Sequence, residues 1–324
     1  MLGYCYSHQL SWVDYSKLQE IAPEKGAYYA SLVKFLQRKR RLYPYHLMDE
    51  LMSGMRISPF HYYIEILRVM MKEERSYDAL PNFTAADILQ VVGFGRNEYI
   101  DAMNRRKQQN WFLKKRINSL RGFLPALPSL DIKVQPWWTV RGCVPPTDFL
   151  KDTLLRERER NLSDYDKALL KALSSNRSPV AGSLDRRSVM RLYRAGFLYF
   201  DVPVHENDCV VVLPLDGFVM NRIEESDHFE QLLYRLFVSL DEHTPLVELA
   251  AILHVEVGFV KRAIAIYLRL GFVSKKRGGR GRGGRGDNDE EEEEEEPLSQ
   301  MRWHPSWDES GPPLSLLEGQ DDIP

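Results

Sequence analysis

Two short stretches of the sequence share one pattern: residues 193–198 read YRAGFL, and residues 268–273 read LRLGFV. In each, a helical run ends at a glycine, and aromatic or β-branched residues follow directly. Glycine is favoured at the end of a helix because it adopts a left-handed backbone without steric cost. The repeated order of helix, glycine and strand predicts two related units, each a group of helices followed by a short strand.

Two helix-turn-helix patterns extend this prediction. Helices are predicted over 85–92 and 96–108, with Gly93-Phe94-Gly95 as the turn between them. A second pair is predicted over 246–253 and 257–270. The two pairs align without gaps, with Asp87–Leu89 on Glu248–Ala250 and Tyr99–Met103 on Val260–Ile264, which supports an internal repeat.

Segments 197–204 and 209–213 are rich in β-branched and aromatic residues. The short polar stretch between them predicts a β-hairpin. A helical pair followed by such a hairpin is typical of a winged helix. The sequence therefore predicts a mainly α fold with small β-hairpins, built from tandem winged-helix-like units in which a helix-turn-helix is followed by a wing.

Polar residues mark several predicted helix starts. Ser58 stands before a proline, a pair suited to the cap and the first position of a helix, and this helix is predicted to run to about Arg75. Thr84 and Asp87 have the spacing of a capping box, as do Ser163 and Asp166.

The overall charge hides a division between body and tail. The chain has 44 basic and 46 acidic residues, but residues 274–324 carry 7 and 14 of them, which leaves 37 and 32 in the body. Residues 277–286 are a Gly/Arg tract, and residues 290–296 are seven consecutive glutamates. Like charges repel and little apolar material is present to pack, so a disordered tail is predicted over 277–324.

No enzyme signature is present in the sequence. It contains no phosphate-binding P-loop, no GxSxG elbow and no HExxH pair, and Gly93-Phe94-Gly95 lacks the third glycine of a dinucleotide loop. Cys5, Cys143 and Cys209 are odd in number and far apart, so neither a disulfide framework nor a CxxC metal pair is expected. We expect no secretory signal and no membrane span, and a reducing, cytosol-facing compartment.

Nucleic-acid binding is the main alternative to a protein-interaction role. A winged helix often places its second helix in the DNA major groove, and Arg105–Lys107 gives one such helix a basic end. The helix over 257–270 carries basic side chains but is largely apolar. The Gly/Arg tract resembles an RNA-binding segment. A body with only five excess basic residues is weakly basic for this function.

An ordered series of motifs resembles a known family. The matching residues are Leu42–Leu47, Met55–Phe60, Tyr77-Asp78, Leu80–Asp87, Gly95–Asn97, Tyr99–Asp101, Met103-Asn104, Trp137-Trp138, Gly182–Asp185, Asp201–Pro203, Gly217–Arg222, Phe237–Ser239, Asp241–Thr244 and Arg269–Phe272. In this order they resemble the N-terminal domain of the family with sequence similarity 91. The resemblance covers about residues 25–276.

The resemblance implies a non-enzymatic adaptor in vesicle capture at the trans-Golgi, in traffic from endosomes to the Golgi. It implies two partners, a TBC-domain protein of the trans-Golgi and a WD-repeat protein, and no cofactor, metal or small-molecule substrate. The expected location is cytoplasmic, peripheral at the trans-Golgi network and its vesicles, with indirect membrane association. The remaining alternative is a winged-helix nucleic-acid-binding protein with an RGG-like tail.

Three segments follow from the resemblance and the composition. They are a variable N-terminal segment over 1–24, a helical and winged-helix-like adaptor domain over 25–276, and the tail over 277–324. The chain leaves the resemblance near Lys276, so we expect the family's C-terminal domain to be missing from this chain.

The matched motifs supply candidate functional positions whose role the sequence does not prove. Their aromatic residues have core packing as an alternative role, and their charged residues have helix caps or salt bridges. The positions are Tyr43, Pro44, Tyr45, His46, Pro81, Asn82, Phe83, Thr84, Asp87, Arg96, Asn97, Trp137, Trp138, Gly217, Phe218, Asn221, Arg222 and Asp241.

Overall fold

The computed structural model describes residues 2–13, 16–112, 120–130, 132–143, 162–173, 178–215, 228–276 and 302–307. The chain divides into two compact units, which are Met1–Ile132 with Leu215–Arg235, and Lys133–Pro214 with Leu236–Pro324. We call them unit 1 and unit 2. The described residues are mainly helical and contain two small antiparallel sheets, each of two strands, as the sequence predicts.

The described α-helices, numbered in chain order, are α1 (Leu2–Ser7), α2 (Ser16–Ile21), α3 (Lys25–Arg38), α4 (Pro59–Lys72), α5 (Asn82–Val92), α6 (Arg96–Phe112), α7 (Asp164–Leu173), α8 (Arg186–Ala195), α9 (His228–Val238), α10 (Leu246–Leu253) and α11 (Val257–Leu270). The strands are β1 (Thr139–Gly142), β2 (Leu198–Asp201), β3 (Val210–Val212) and β4 (Val273–Lys275). Short turns of 3-10 helix lie at Tyr45–Leu47, Tyr77–Ala79, Leu120–Phe123, Ala181–Ser183 and Pro305–Trp307, and a π-helical turn lies at Glu50–Gly54.

The core of unit 1 is formed where α4 packs against α3 and α5. Ser58 begins α4 as predicted, because its hydroxyl accepts a hydrogen bond from the backbone N–H of His61 at 3.3 Å. Leu36 of α3 and Ile66 of α4 are fully buried. Burial of such apolar side chains is the main stabilising contribution to a helical unit of this kind.

The two repeated glycines of unit 2 end their helices in the predicted way. Gly196 follows α8 with φ 79°, and Gly271 follows α11 with φ 69°. Each glycine N–H donates to carbonyl oxygens of the preceding turn, which satisfies groups that a helix end leaves unpaired. A short strand follows each glycine, so the repeat seen in the sequence is confirmed as a structural repeat.

The strand pairing differs from the predicted hairpin. β2 pairs with β1, where Val140 lies opposite Phe200, and β3 pairs with β4, where Val211 lies opposite Ser274. The hairpin prediction is wrong because each strand finds a partner beyond a group of helices. Among the described elements, α7 and α8 lie between β1 and β2 in sequence, and α9, α10 and α11 lie between β3 and β4. This arrangement is compatible with winged-helix-like units.

The capping-box prediction at Thr84 and Asp87 is also wrong. α5 begins at Asn82, so Thr84 lies inside the helix and is fully buried. The Asp87 side chain turns to two tyrosines instead. At the start of α7, the predicted cap is confirmed, since the Ser163 hydroxyl accepts a hydrogen bond from the backbone N–H of Asp166 at 3.1 Å.

A short segment of the sequence-predicted tail is folded. The described residues 302–307 include a turn of 3-10 helix at Pro305–Trp307, and Trp307 is only 8% exposed. This turn packs beside α8 within unit 2. The tail therefore contains at least one segment with enough aromatic surface to pack.

Candidate functional site

Burial separates the family-motif positions into two groups. Most are core residues, buried or half-buried, and among the described positions only Arg96, Asn97 and Asp241 are exposed. Gly217, Phe218, Asn221 and Arg222 lie outside the described residues. Partner binding requires exposed side chains, so the exposed positions are the better candidates for a binding role.

The buried group in unit 1 is organised around Asp87. The Tyr45 hydroxyl donates to the Asp87 carboxylate at 2.8 and 3.0 Å, and the Tyr63 hydroxyl makes a short hydrogen bond to the same group. Burial, with the negative charge of Asp87 beside it, raises the pKa of Tyr63 well above its ordinary value. The phenol therefore stays protonated and acts as a donor. Asp87 is 2% exposed, so this network is structural.

A second buried carboxylate, Glu230 of α9, lies at the start of α5. It accepts a hydrogen bond from the backbone N–H of Phe83 at 3.2 Å. Pro81, at the cap position of α5, offers no side-chain cap, so Glu230 supplies the acceptor that helix starts need. Burial nevertheless raises the pKa of Glu230 from 4.5 to about 7.

The raised pKa of Glu230 predicts a pH-dependent stability. The folded state binds its proton more tightly than the unfolded chain, so the stability contribution is complete below pH 4.5 and is lost as the pH rises through about 7. We expect Glu230→Gln, which stays neutral, to be more stable than the wild type at pH 8 by about 2–3 kcal/mol and similar to it at pH 5.

Thermal and urea unfolding at pH 5, 6, 7 and 8 tests this prediction. Glu248→Gln replaces an exposed glutamate of α10 and should give a pH profile parallel to the wild type. Parallel profiles for Glu230→Gln and the wild type would contradict the assigned burial of a titrating carboxylate.

The tryptophan pair of unit 2 divides between core and surface. Trp138 is fully buried and meets Phe200 edge to face, with ring centroids 6.1 Å apart. Trp137 is half-buried, and the Lys275 ammonium lies 4.8 Å from its ring centroid. Lys275 also pairs with Asp208 at 2.7 Å. Core packing accounts for Trp138, whereas Trp137 is part of a partly accessible cation–π contact.

The exposed aspartate of the motif set, Asp241, shapes a turn. Its carboxylate accepts hydrogen bonds from the His243 backbone N–H at 3.1 Å and from the Thr244 hydroxyl at 3.0 Å. These bonds lower the pKa of Asp241, the bond from His243 most strongly. Asp241 therefore fixes the chain before α10.

Arg96, at the start of α6, lies in a different setting. Its guanidinium pairs with Asp78 through two hydrogen bonds of 2.8 and 3.3 Å, and the two side chains are 59% and 46% exposed. The bond from Arg96 lowers the pKa of Asp78, so the pair is charged at neutral pH. An exposed bidentate pair of this kind is a geometrically defined feature of the surface.

This ion pair lies at one end of an open groove of about 250 Å³ in unit 1. One side of the groove is the chain that joins α4 to the turn at Tyr77–Ala79, and the other is a single face of α6. The spacing of that face follows the helical repeat. The α6 groove face, as we call it, consists of Arg96, Ile100, Met103, Asn104 and Lys107.

Two buried tyrosines, Tyr77 and Tyr99, form the floor of the groove. The buried rings of Tyr77 and Tyr99 lie 5.5 Å apart, and the Tyr99 hydroxyl donates to the Arg75 carbonyl at 2.7 Å. At the middle, Ile100 is 39% exposed. A preformed apolar centre with a charged rim is the usual setting for a protein contact.

Two basic side chains on the helices considered for DNA recognition make hydrogen bonds to backbone carbonyls of their own unit. Arg106 of α6 makes a short hydrogen bond to the Met71 carbonyl. Arg269 of α11 donates to the Phe200 carbonyl at 2.5 Å and lies 5.7 Å from the Trp138 ring centroid. These two arginines therefore stabilise their own units and are poorly placed to bind a phosphate backbone.

The described residues contain neither a cluster of metal ligands nor a membrane-spanning helix. Within the described ranges, no three histidine, cysteine, aspartate or glutamate side chains are grouped as metal ligands. Across the same part of the chain, no helix has the length and apolar character required to cross a membrane.

Comparison with known families then identifies the chain. The sequence model of the FAM91 N-terminus matches residues 1–288. The chain belongs to the FAM91 family. The FAM91 match begins at the first residue and so also includes residues 1–24, which the motifs alone did not cover. FAM91 membership suggests a protein-interaction role in membrane traffic.

Within the FAM91 domain, the sequence motifs located part of the groove. Arg96 is among the predicted site residues, whereas Ile100 and Met103 are not. Their helical spacing from Arg96 was visible in the sequence, but the exposed face of α6 depends on how the turn at Tyr77–Ala79 packs. Glu230 carried no local signal, since its bond to Phe83 spans 147 positions.

Proposed function

We propose that the chain is a non-enzymatic adaptor in vesicle capture at the trans-Golgi, and that the α6 groove of unit 1 is its partner-binding surface. The observation that carries this proposal is the exposed Ile100 between the Arg96–Asp78 pair and Lys107. Family membership supports the interaction role. The trans-Golgi location rests on the resemblance of the motifs.

The groove chemistry favours one kind of ligand. Its apolar centre is short and flanked by separated charges, which suits an amphipathic helix with one or two apolar side chains facing Ile100 and Met103. Lys107 at the far end favours an acidic residue on that helix. We assign this groove to the TBC-domain partner, and we propose that the WD-repeat partner binds elsewhere on the chain.

The charge distribution favours protein over nucleic acid as the ligand. At the rim, Arg96 is neutralised by Asp78, and Arg75 pairs with Glu73 at 2.6 Å. A DNA-binding helix normally presents several cations to phosphates. The rim has only one lysine among its lining residues, Lys107, and the opposing carboxylate of Asp78 would repel a phosphate backbone.

Binding of the full chain to the purified TBC-domain and WD-repeat proteins tests the proposal. We expect Ile100→Asp to weaken binding of the TBC-domain partner at least tenfold, because it places a charge at the apolar centre. Ile252→Asp is the matched control, since Ile252 is a 60% exposed isoleucine of unit 2. It should bind as the wild type does.

Two outcomes would contradict the proposal. Equal affinities for Ile100→Asp and the wild type would remove the groove as the binding surface. Failure of the full chain to bind either partner, together with micromolar binding of duplex DNA or structured RNA that falls steeply with salt, would replace the adaptor function with the nucleic-acid alternative.

A further inference from the structure

A surface of unit 2 is occupied by the chain's own tail segment. The surface comprises Gly182–Arg186 with Pro136 beside it, and we call it the GSLD edge after its first four residues. The segment is residues 303–307, which read WHPSW. Both belong to unit 2, and their contact is independent of the α6 groove.

The contact has the features of peptide recognition. The His304 backbone N–H donates to the Gly182 carbonyl at 2.6 Å, and the Trp307 indole N–H donates to the Leu184 carbonyl at 2.8 Å. Backbone groups of a folded edge therefore bind a short linear segment. Such bonds provide affinity, whereas the side chains between them provide specificity.

The two tryptophans of the segment make different contacts with the GSLD edge. Trp303 packs directly on Gly182, where a methyl group would overlap its ring and would also lie 2.8 Å from the Cβ of Pro136. Trp307 is 8% exposed, and the Arg186 guanidinium lies 5.5 Å from its ring centroid. Tryptophan is the best aromatic partner for a cation and a frequent anchor of interfaces.

A serine of the segment completes the start of α8. The Ser306 hydroxyl accepts a hydrogen bond from the Arg186 backbone N–H at 2.8 Å. This N–H belongs to the first turn of α8, where backbone donors have no partner within the helix. The segment thus supplies two aromatic anchors and a hydroxyl cap in five residues.

The surface and its occupant come from different parts of the chain. The FAM91 match covers residues 1–288, so it includes the GSLD edge and excludes residues 303–307. The stretch of sequence that leads from Lys276 to the segment contains the Gly/Arg tract and the seven glutamates. A segment that belongs to the same chain as its site competes with free ligands at an effective concentration of roughly millimolar.

We propose that the GSLD edge is a docking site for linear segments of the form Trp-x-x-x-Trp, occupied in cis by residues 303–307. The tail segment then acts as an intramolecular competitor. A partner protein with two tryptophans at this spacing, and a serine or threonine before the second, binds only when the tail segment leaves. This inference does not depend on the α6 groove or on the identity of its partner.

Fluorescence anisotropy of a labelled peptide of residues 301–310 tests the docking site on the full chain. We expect weak binding to the wild type and at least tenfold tighter binding to Trp303→Ala/Trp307→Ala, whose own segment no longer competes. Added to that double variant, Gly182→Ala and Arg186→Ala should each weaken peptide binding. Arg187→Ala, an exposed neighbour, is the matched control and should not.

A second measurement avoids loss of the tail tryptophans. A protease site inserted within residues 290–296 converts the tethered segment into a free fragment. We expect the fragment to dissociate on dilution and the labelled peptide then to bind the cleaved chain. Equal peptide affinity before cleavage, after cleavage and in the double variant would overturn the proposal, as would binding that ignores Gly182→Ala and Arg186→Ala.

Discussion

Asp87→Ala should lower the free energy of unfolding by about 3–5 kcal/mol. The substitution removes the acceptor for the hydroxyls of Tyr45 and Tyr63 in a position that is 2% exposed. Hydrogen bonds to a charged acceptor contribute about 1.5–3 kcal/mol each, and a buried donor left unpaired costs about 1–3 kcal/mol. Equilibrium urea unfolding, followed by far-UV circular dichroism, measures the loss.

Two controls separate the network from a general effect of removing an aspartate. Asp87→Asn keeps one carbonyl acceptor and should cost less than the alanine variant. Asp101→Ala removes an exposed aspartate of α6 and should change stability by no more than about 0.5 kcal/mol. A loss below about 1 kcal/mol for Asp87→Ala would show that the two tyrosines find other acceptors.

Local patterns predicted the helices because a helix satisfies its backbone within one segment. The predicted segments 246–253 and 257–270 coincide with α10 and α11, and the helix begun by Ser58 ends within three residues of the predicted Arg75. Gly196 and Gly271 were recognisable for the same reason, since the left-handed backbone after a helix is a local requirement.

Strand pairing was not predictable, because it depends on partners distant in sequence. The segment that includes β2 looked like half of a hairpin, yet β2 pairs with β1 across two described helices. β1 itself is only four residues long and was not predicted. Its pairing becomes evident only when the fully buried Trp138, directly before it, is placed against Phe200.

The functional surfaces show the same division between local and distant information. Arg96 is a candidate from the sequence because core packing does not explain the presence of a charged residue in a family motif. Whether Ile100 joins it at the surface depends on how the turn at Tyr77–Ala79 packs against α6. The tail contact was harder still, since Trp303 and Gly182 are joined only by the fold of unit 2, and the glutamate run between them favoured a prediction of disorder.

Trp138→Ala is the substitution in unit 2 with the largest expected effect, a loss of about 3–5 kcal/mol in the free energy of unfolding. Trp138 is fully buried against Phe200, and Arg269 lies over its ring. Truncation leaves a cavity between the sheet of β1 and β2 and α11, since Arg269 belongs to that helix. Urea unfolding of the full chain measures the loss.

Two variants show whether packing or polarity causes that loss. The Trp138 indole N–H is buried, with no hydrogen-bond partner among the described residues, so Trp138→Phe removes an unpaired donor and keeps an aromatic ring. We expect it to cost much less than alanine. Trp137→Ala, at the half-buried neighbour, should cost about 1–2 kcal/mol, because it loses partial burial and one cation–π contact. If Trp137→Ala proved as costly as Trp138→Ala, the assignment of Trp138 as the core residue of the pair would be wrong.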